Sequence, residues 1–142
     1  MPYEDYLMRE VAKIGAMLRA ILGIMIRRKE NLAIAIEDVI SETKDKLLTE
    51  LNFDLDLFLT MNDKDSQEYL SKLKGFNAEN LELLGDVLYQ AGLQGDAPAM
   101  KLYLEKSLHV YKISNSLVKT YSIERQEKIS DIESILGKSL FH

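Results

Sequence analysis

Phe53-Asp54-Leu55-Asp56-Leu57-Phe58-Leu59 alternates apolar and acidic residues over its first half, and taken alone it reads as a half-buried β-strand. A strand needs a neighbour to satisfy its backbone, and the 142-residue sequence offers no second clear strand to pair with it. The stretch is therefore read as a short helix over about Leu55–Met61, and the chain as all-α.

On either side of this stretch the apolar period is helical. From about Tyr3 to Arg28, Leu7, Val11, Ile14, Leu18, Ile21 and Met25 recur at steps of three and four and make one continuous stripe. Met8, Met17, Leu22, Ile24 and Ile26 widen it. Gly15 and Gly23 each cost a helix interior about 1 kcal/mol, which close packing against a neighbour would explain. Arg27, Arg28 and Lys29 sit where cations suit the negative pole of the helix dipole.

A second helix over about Glu30–Leu51 turns Ala33, Ile36, Val39, Ile40, Leu47, Leu48 and Leu51 inward. Beyond the break at Asn62-Asp63-Lys64-Asp65, the pair Asp65 and Glu68 forms a capping box for a helix through Lys74, closed by Gly75. Asn77 caps a helix over about Ala78–Leu93. Asp96 before Ala97-Pro98 opens another that runs to about Ile113, because a capping carboxylate followed by first-turn proline is a start signal. The last helix covers about Ser116–Leu136, with Leu117, Val118, Tyr121, Ile129, Ile132, Ile135 and Leu136 apolar, and stops at Gly137. No linker interrupts the series, so residues 1–142 are read as a single α-helical domain of antiparallel hairpins.

Composition narrows the function classes. The net charge is −5, and Lys and Arg form no dominant stripe, so a phosphate backbone has nothing to grip and nucleic acid is not expected as a partner. Cysteine is absent, which removes disulfides, thiolate nucleophiles and zinc-thiolate sites and suits a reducing cytoplasm. Val11–Ile26 is apolar-rich, but Lys13 and Arg19 interrupt it well short of the about 20 apolar residues of a membrane span. Glu4 and Asp5 precede it, the wrong charge for a signal peptide. A soluble cytoplasmic domain is expected.

Leu81–Ile113 resembles a tetratricopeptide-type (TPR-like) helical hairpin. Leu84-Gly85 followed by Leu88-Tyr89 matches the family's Leu-Gly pair and aromatic, and Tyr103-Leu104 with Ser107-Leu108 approximates the second helix. Leu81 stands where the family has Trp, no proline closes the unit, and the connection over Ala91–Pro98 is about three residues longer than the repeat's. The resemblance implies a TPR-like bundle or short right-handed superhelix, with a groove that binds a helix or extended peptide. Asp5-Tyr6-Leu7-Met8-Arg9-Glu10 with Ile14 and Leu18 is also similar to the opening of an uncharacterised bacterial all-helical family, which implies no functional residue.

Chemistry-bearing constellations are sparse. Glu105 and His109 share a helix face at i and i+4, but the only other histidine is His142 and two ligands do not make a metal site. Asp54, Asp56, Asp63 and Asp65 lack the glycine and glutamate of a calcium loop, so capping and solvation account for them. No nucleophile elbow or phosphate loop occurs, and neither cofactor nor metal is expected. Buried carboxylates leave no motif, so a small carboxylate or metal-dependent hydrolase is the third reading.

Tyr89, Lys101, Tyr103 and Tyr111 lie on the hairpin and are the candidate partner-binding residues; the competing view makes the tyrosines core-edge packing. The expectation is a non-catalytic interaction or scaffolding protein. The alternative is self-association, with residues 3–28 as a homodimer interface.

Overall fold

A computed structural model describes residues 2–118 and 122–140. Among these it forms seven helices and no strand: α1 (Pro2–Glu30), α2 (Ile36–Leu51), α3 (Leu55–Thr60), α4 (Asp63–Lys72), α5 (Ala78–Gln94), α6 (Ala97–Leu117) and α7 (Ile123–Leu140). The stretch that decided the fold is helical. Asp54 caps α3 by accepting from the Leu57 backbone N–H at 3.1 Å, and Phe53 is fully buried against Phe58 and Tyr69 with ring centroids 5.1 and 5.6 Å away. The alternation thus reflects a capping aspartate and an anchoring phenylalanine, not two faces of a strand.

Helix directions follow from hydrogen bonds that cross between elements. Lys13 Nζ donates to the Glu50 carbonyl at 3.1 Å, so α1 and α2 are an antiparallel pair. Ser114 Oγ donates to the Ala78 carbonyl and Ser107 Oγ to the Gly85 carbonyl, which makes α5 and α6 a second antiparallel pair. Between the pairs, Asn80 Nδ2 reaches the Val11 carbonyl at 2.9 Å and Gln94 Nε2 the Met25 carbonyl at 3.0 Å. Both bonds span 69 residues, so α1 and α5 run parallel and in constant register for about 21 Å at the helical rise.

The main core lies between these pairs. Ile14, Leu18, Ile21 and Met25 of α1 meet Leu81, Leu84 and Leu88 of α5, with Leu47, Phe53 and Phe58 beneath. The apolar stripe of α1 is therefore largely spent inside the fold, while Met8 and Ile26 stay exposed. Gly75 closes the α4–α5 turn at φ 97, and a Cβ there would stand 2.8 Å from Ile14 Cδ1. Gly15 likewise sits close to Asn80 of α5, at 3.0 Å from a built Cβ. Gly23 does not. A Cβ at that position meets nothing within 4 Å, so close packing does not explain it.

Several ends differ from the sequence reading. α2 starts at Ile36 rather than Glu30, because Asn31–Ala35 form an exposed turn in which the Arg28 guanidinium donates to the Ile34 carbonyl at 2.8 Å. The cap of α4 is Asn62, which accepts from the Asp65 N–H at 2.8 Å, and not Asp65 itself. α6 continues past Ile113 to Leu117, and α7 begins at Ile123 instead of Ser116. Gly137 does not stop α7, which runs to Leu140. Tyr121 and His142 lie outside the described residues. No helix among the described residues is long and apolar enough to cross a membrane.

Candidate functional site

The surface with most side-chain chemistry is the seam where α7 lies on the α5–α6 hairpin. It is built in two layers. Leu104 and Tyr111 of α6, both fully buried, form the floor, and Ile129 and Ile132 of α7 sit on them, with Tyr89, Met100, Leu108, Ile135 and Leu136 around the edge. The steps from 129 to 132 and on to 135 and 136 turn one face of α7 downward.

The second layer is polar and runs along α5. Arg125 Nη1 pairs with Glu82 Oε1 at 2.5 Å and Lys128 Nζ with Asp86 Oδ1 at 2.7 Å, while the Tyr89 hydroxyl donates to Asp131. Arg125 also donates to Asn115 near the end of α6. The paired residues are 43, 42 and 42 positions apart, so α7 lies parallel to α5 and holds its register to within one residue. Asp86 is shared, since the Tyr111 hydroxyl donates to the same oxygen at 2.5 Å. Burial, reinforced by the Asp86 charge, raises the Tyr111 phenol well above its ordinary value. Burial with the Asp131 carboxylate pushes Tyr89 up to about 12. At the open end of the seam a cleft of about 360 Å³ is lined by Glu79, Glu82, Leu83, Val118, Ser122 and Arg125.

The four residues singled out from sequence are not gathered on one surface. Tyr89 and Tyr111 meet in the seat of α7. Tyr103, 5% exposed, belongs instead to the main core, where burial raises its phenol beside the Lys44–Asp56 ion pair. Lys101 is exposed on α6. Tyr103 and Tyr111 are thus packed groups within the folded chain, and only Tyr111 owes its cover to α7. Glu82, Asp86, Arg125, Lys128 and Asp131 escaped the sequence reading. Their signal was complementary charge at helical spacing on two separate helices, acids at 82 and 86 and bases at 125 and 128.

A second cluster joins α6 to the α3–α4 corner. Lys106, 5% exposed, donates to the Met61 carbonyl at 2.6 Å and to Ser66 Oγ, with its ammonium 4.8 Å from the Phe58 ring centroid. Burial lowers its pKa, opposed by the Asp63 charge. A lysine of lowered pKa beside a serine is a nucleophile-and-base pairing. Here Ser66 has no exposed surface, so no substrate atom reaches its oxygen. Lys106 acts as a cation on the carbonyl that follows α3, the end where positive charge is favourable.

Next to it, His109 Nε2 lies 3.0 Å from the Asp63 carbonyl and Nδ1 3.8 Å from the Asp63 carboxylate, in a recess also lined by Glu105 and Lys112. His109 thus bridges to α4. Among the described residues no three His, Asp or Glu side chains are placed to hold a metal ion. Two of the four aspartates singled out earlier have clear structural partners: Asp54 caps α3 and Asp56 pairs with Lys44 at 2.7 Å.

The fold and this seam define a class: an all-α protein with two antiparallel helical pairs side by side and a further helix laid on the second pair. Comparison with protein-family models, curated proteins and solved structures found no match.

Proposed function

We propose that the chain is a non-catalytic interaction or scaffolding protein of TPR-like build, with its recognition surface on the α5–α6 hairpin. The observation that supports it most is the parallel order of α1, α5 and α7, with α2 and α6 antiparallel to their predecessors. A stack of this kind buries one face of each pair and leaves the next face open to another helix. The α5–α6 face takes a helix through an apolar floor with charged groups along one side, which is how grooves hold amphipathic helices. Tyr89 and Tyr111 are the tyrosines of that face, and Lys101 stands outside it.

The cysteine-free, acidic composition suits a cytoplasmic setting and a protein or peptide partner rather than nucleic acid. The homodimer reading through residues 3–28 has less support, since Ile14, Leu18, Ile21 and Met25 are consumed in the core.

The test is recovery of the tagged full chain from its native lysate, followed by rebinding of the purified partner to the purified chain by calorimetry. A protein that rebinds with defined stoichiometry supports a scaffold. Repeated recovery of the chain alone counts against it and turns attention to self-association or an unrecognised activity.

A further inference from the structure

The hydrophobic interior is divided. Among the described side chains the main core draws on α1, α2, α3, α4, α5 and α6 and on none from α7. The cluster beneath α7 is a separate one, in which Leu104 and Tyr111 receive Ile129 and Ile132. Lifting α7 therefore uncovers this second cluster and leaves the first intact. What it uncovers is selective: an apolar floor of Leu104 and Tyr111 with Met100 and Leu108 beside it, two carboxylates one helical turn apart at Glu82 and Asp86, and the hydroxyl of Tyr89 a further turn along.

From this we infer that the α5–α6 face is a helix-recognition groove that α7 keeps filled, and that its partner is an amphipathic helix of another protein carrying α7's own pattern. That pattern reads Arg125, Lys128, Ile129, Asp131, Ile132. It consists of two cations three residues apart, an apolar residue directly after the second, an acid two positions later, and a second apolar residue after the acid. Orientation is specified too. With the pattern reversed, the cations would meet Tyr89 and the acid would meet Glu82, so the partner helix lies parallel to α5.

The inference rests on the scaffold reading given above and adds the ligand class and its control. A tethered helix competes at an effective concentration of order millimolar, so a partner in trans binds weakly until α7 is unseated. Exchange of one helix for another, rather than an empty groove, is the expected event, because an uncovered Leu104–Tyr111 floor would expose a contiguous apolar patch.

The test uses the full chain and a fluorescein-labelled synthetic peptide of residues 122–140. In the receptor carrying Ile129→Asp and Ile132→Asp, α7 loses its apolar anchors. Fluorescence anisotropy should show this receptor binding the peptide at least tenfold more tightly than the wild-type chain does. Adding Glu82→Lys and Asp86→Lys to the receptor should weaken the peptide at least tenfold, and a peptide with Arg125→Glu and Lys128→Glu should recover it. A second receptor, Arg125→Glu with Lys128→Glu in the full chain, breaks the polar edge and keeps the apolar anchors Ile129 and Ile132. It should bind the peptide more tightly than wild type does, and it carries the test if the aspartate receptor fails to fold.

Absence of binding to folded receptor overturns the inference. So does binding that survives Ile129→Asp and Ile132→Asp in the peptide. A wild-type dimer in which α7 is exchanged between copies, seen by light scattering and lost in the aspartate receptor, would assign the groove to a second copy and overturn the foreign partner. Failure here leaves the scaffold reading to its own test, which uses the unmodified chain and its recovered partner; failure there leaves peptide binding untouched.

Discussion

Gly85 lies directly beneath the ring of Tyr111: a Cβ built on the glycine would stand 2.5 Å from Tyr111 Cε1 and 2.7 Å from Cδ1. The contact sets how closely α5 and α6 approach, and Tyr111 is fully buried with its hydroxyl fixed on Asp86, so the ring has little room to move aside. Gly85→Ala gains up to about 1 kcal/mol of helix propensity but overpacks the site at a cost of about 1–3 kcal/mol. The balance is a loss of stability. Urea unfolding should show a lower midpoint with an unchanged slope, and a midpoint at or above wild type would mean that the ring gives way.

Gly23 is the counter-case. It occupies the interior of α1, with nothing within 4 Å of a built Cβ. Gly23→Ala should therefore recover about 0.5–1 kcal/mol without strain. For a domain of this length that is a rise of roughly 3 °C in melting temperature. A fall on heating, followed by circular dichroism, would reveal a packing role that the fold does not show.

Alkaline pH should loosen the α7 seam first. Burial beside carboxylates raises the phenols of both Tyr89 and Tyr111, Tyr89 to about 12. A phenol that ionises more readily in the unfolded chain than in the folded one contributes stability that is fully present below its ordinary value near 10. That stability drains as pH rises toward the folded value. Between pH 10 and 12 the wild-type chain should lose stability, with tyrosinate absorbance rising as helical signal falls. Tyr111→Phe removes one of the three raised phenols, Tyr103 in the main core being the third, and should flatten that decline. An equally steep decline in this variant would place the alkaline lability elsewhere.

How much of this was legible in sequence depended on whether a signal was local. Asn77 and Asp96 were readable as caps, and each accepts the N–H three residues on, from Asn80 at 2.9 Å and Ala99 at 3.0 Å. In Asn62-Asp63-Lys64-Asp65 three side chains compete for the same role, and the extended backbone at Asn62, φ −72 and ψ 175, decides between them. The turn at Asn31–Ala35 carries neither glycine nor proline, and Ala35 makes no side-chain cap, so its apolar residues pass for helix. Gly137 imitates a stop but leaves the helix unbroken, its backbone staying out of the left-handed region where a glycine commonly caps a helix. The α7 seam failed for a different reason. Glu82 and Asp86 are visible on one helix and Arg125 and Lys128 on another, but their adjacency is a property of the packing, and so is the cover that α7 gives Tyr111.

Lys106 and Ser66 allow a direct separation of structural from chemical roles. The amine holds the Met61 carbonyl as well as the serine oxygen, and the serine oxygen is wholly enclosed. If the pair is a tie between α6 and the α3–α4 corner, its two members should be unequal. Lys106→Met keeps the volume of the stem but leaves the half-buried Met61 carbonyl without its donor and the enclosed Ser66 hydroxyl without its partner, which costs about 1–3 kcal/mol. Ser66→Ala removes a hydroxyl from an amine that retains its main-chain acceptor, and should cost about 1 kcal/mol or less. Amide hydrogen exchange should then report faster opening of α3 and α4 in Lys106→Met than in Ser66→Ala, with the α5–α6 pair little changed in either. Equal effects would mean that the serine contact, not the carbonyl, anchors the amine. A Ser66 that a fluorophosphonate probe labels in the folded chain would show that its oxygen is reachable after all, and would reopen the nucleophilic reading of the pair.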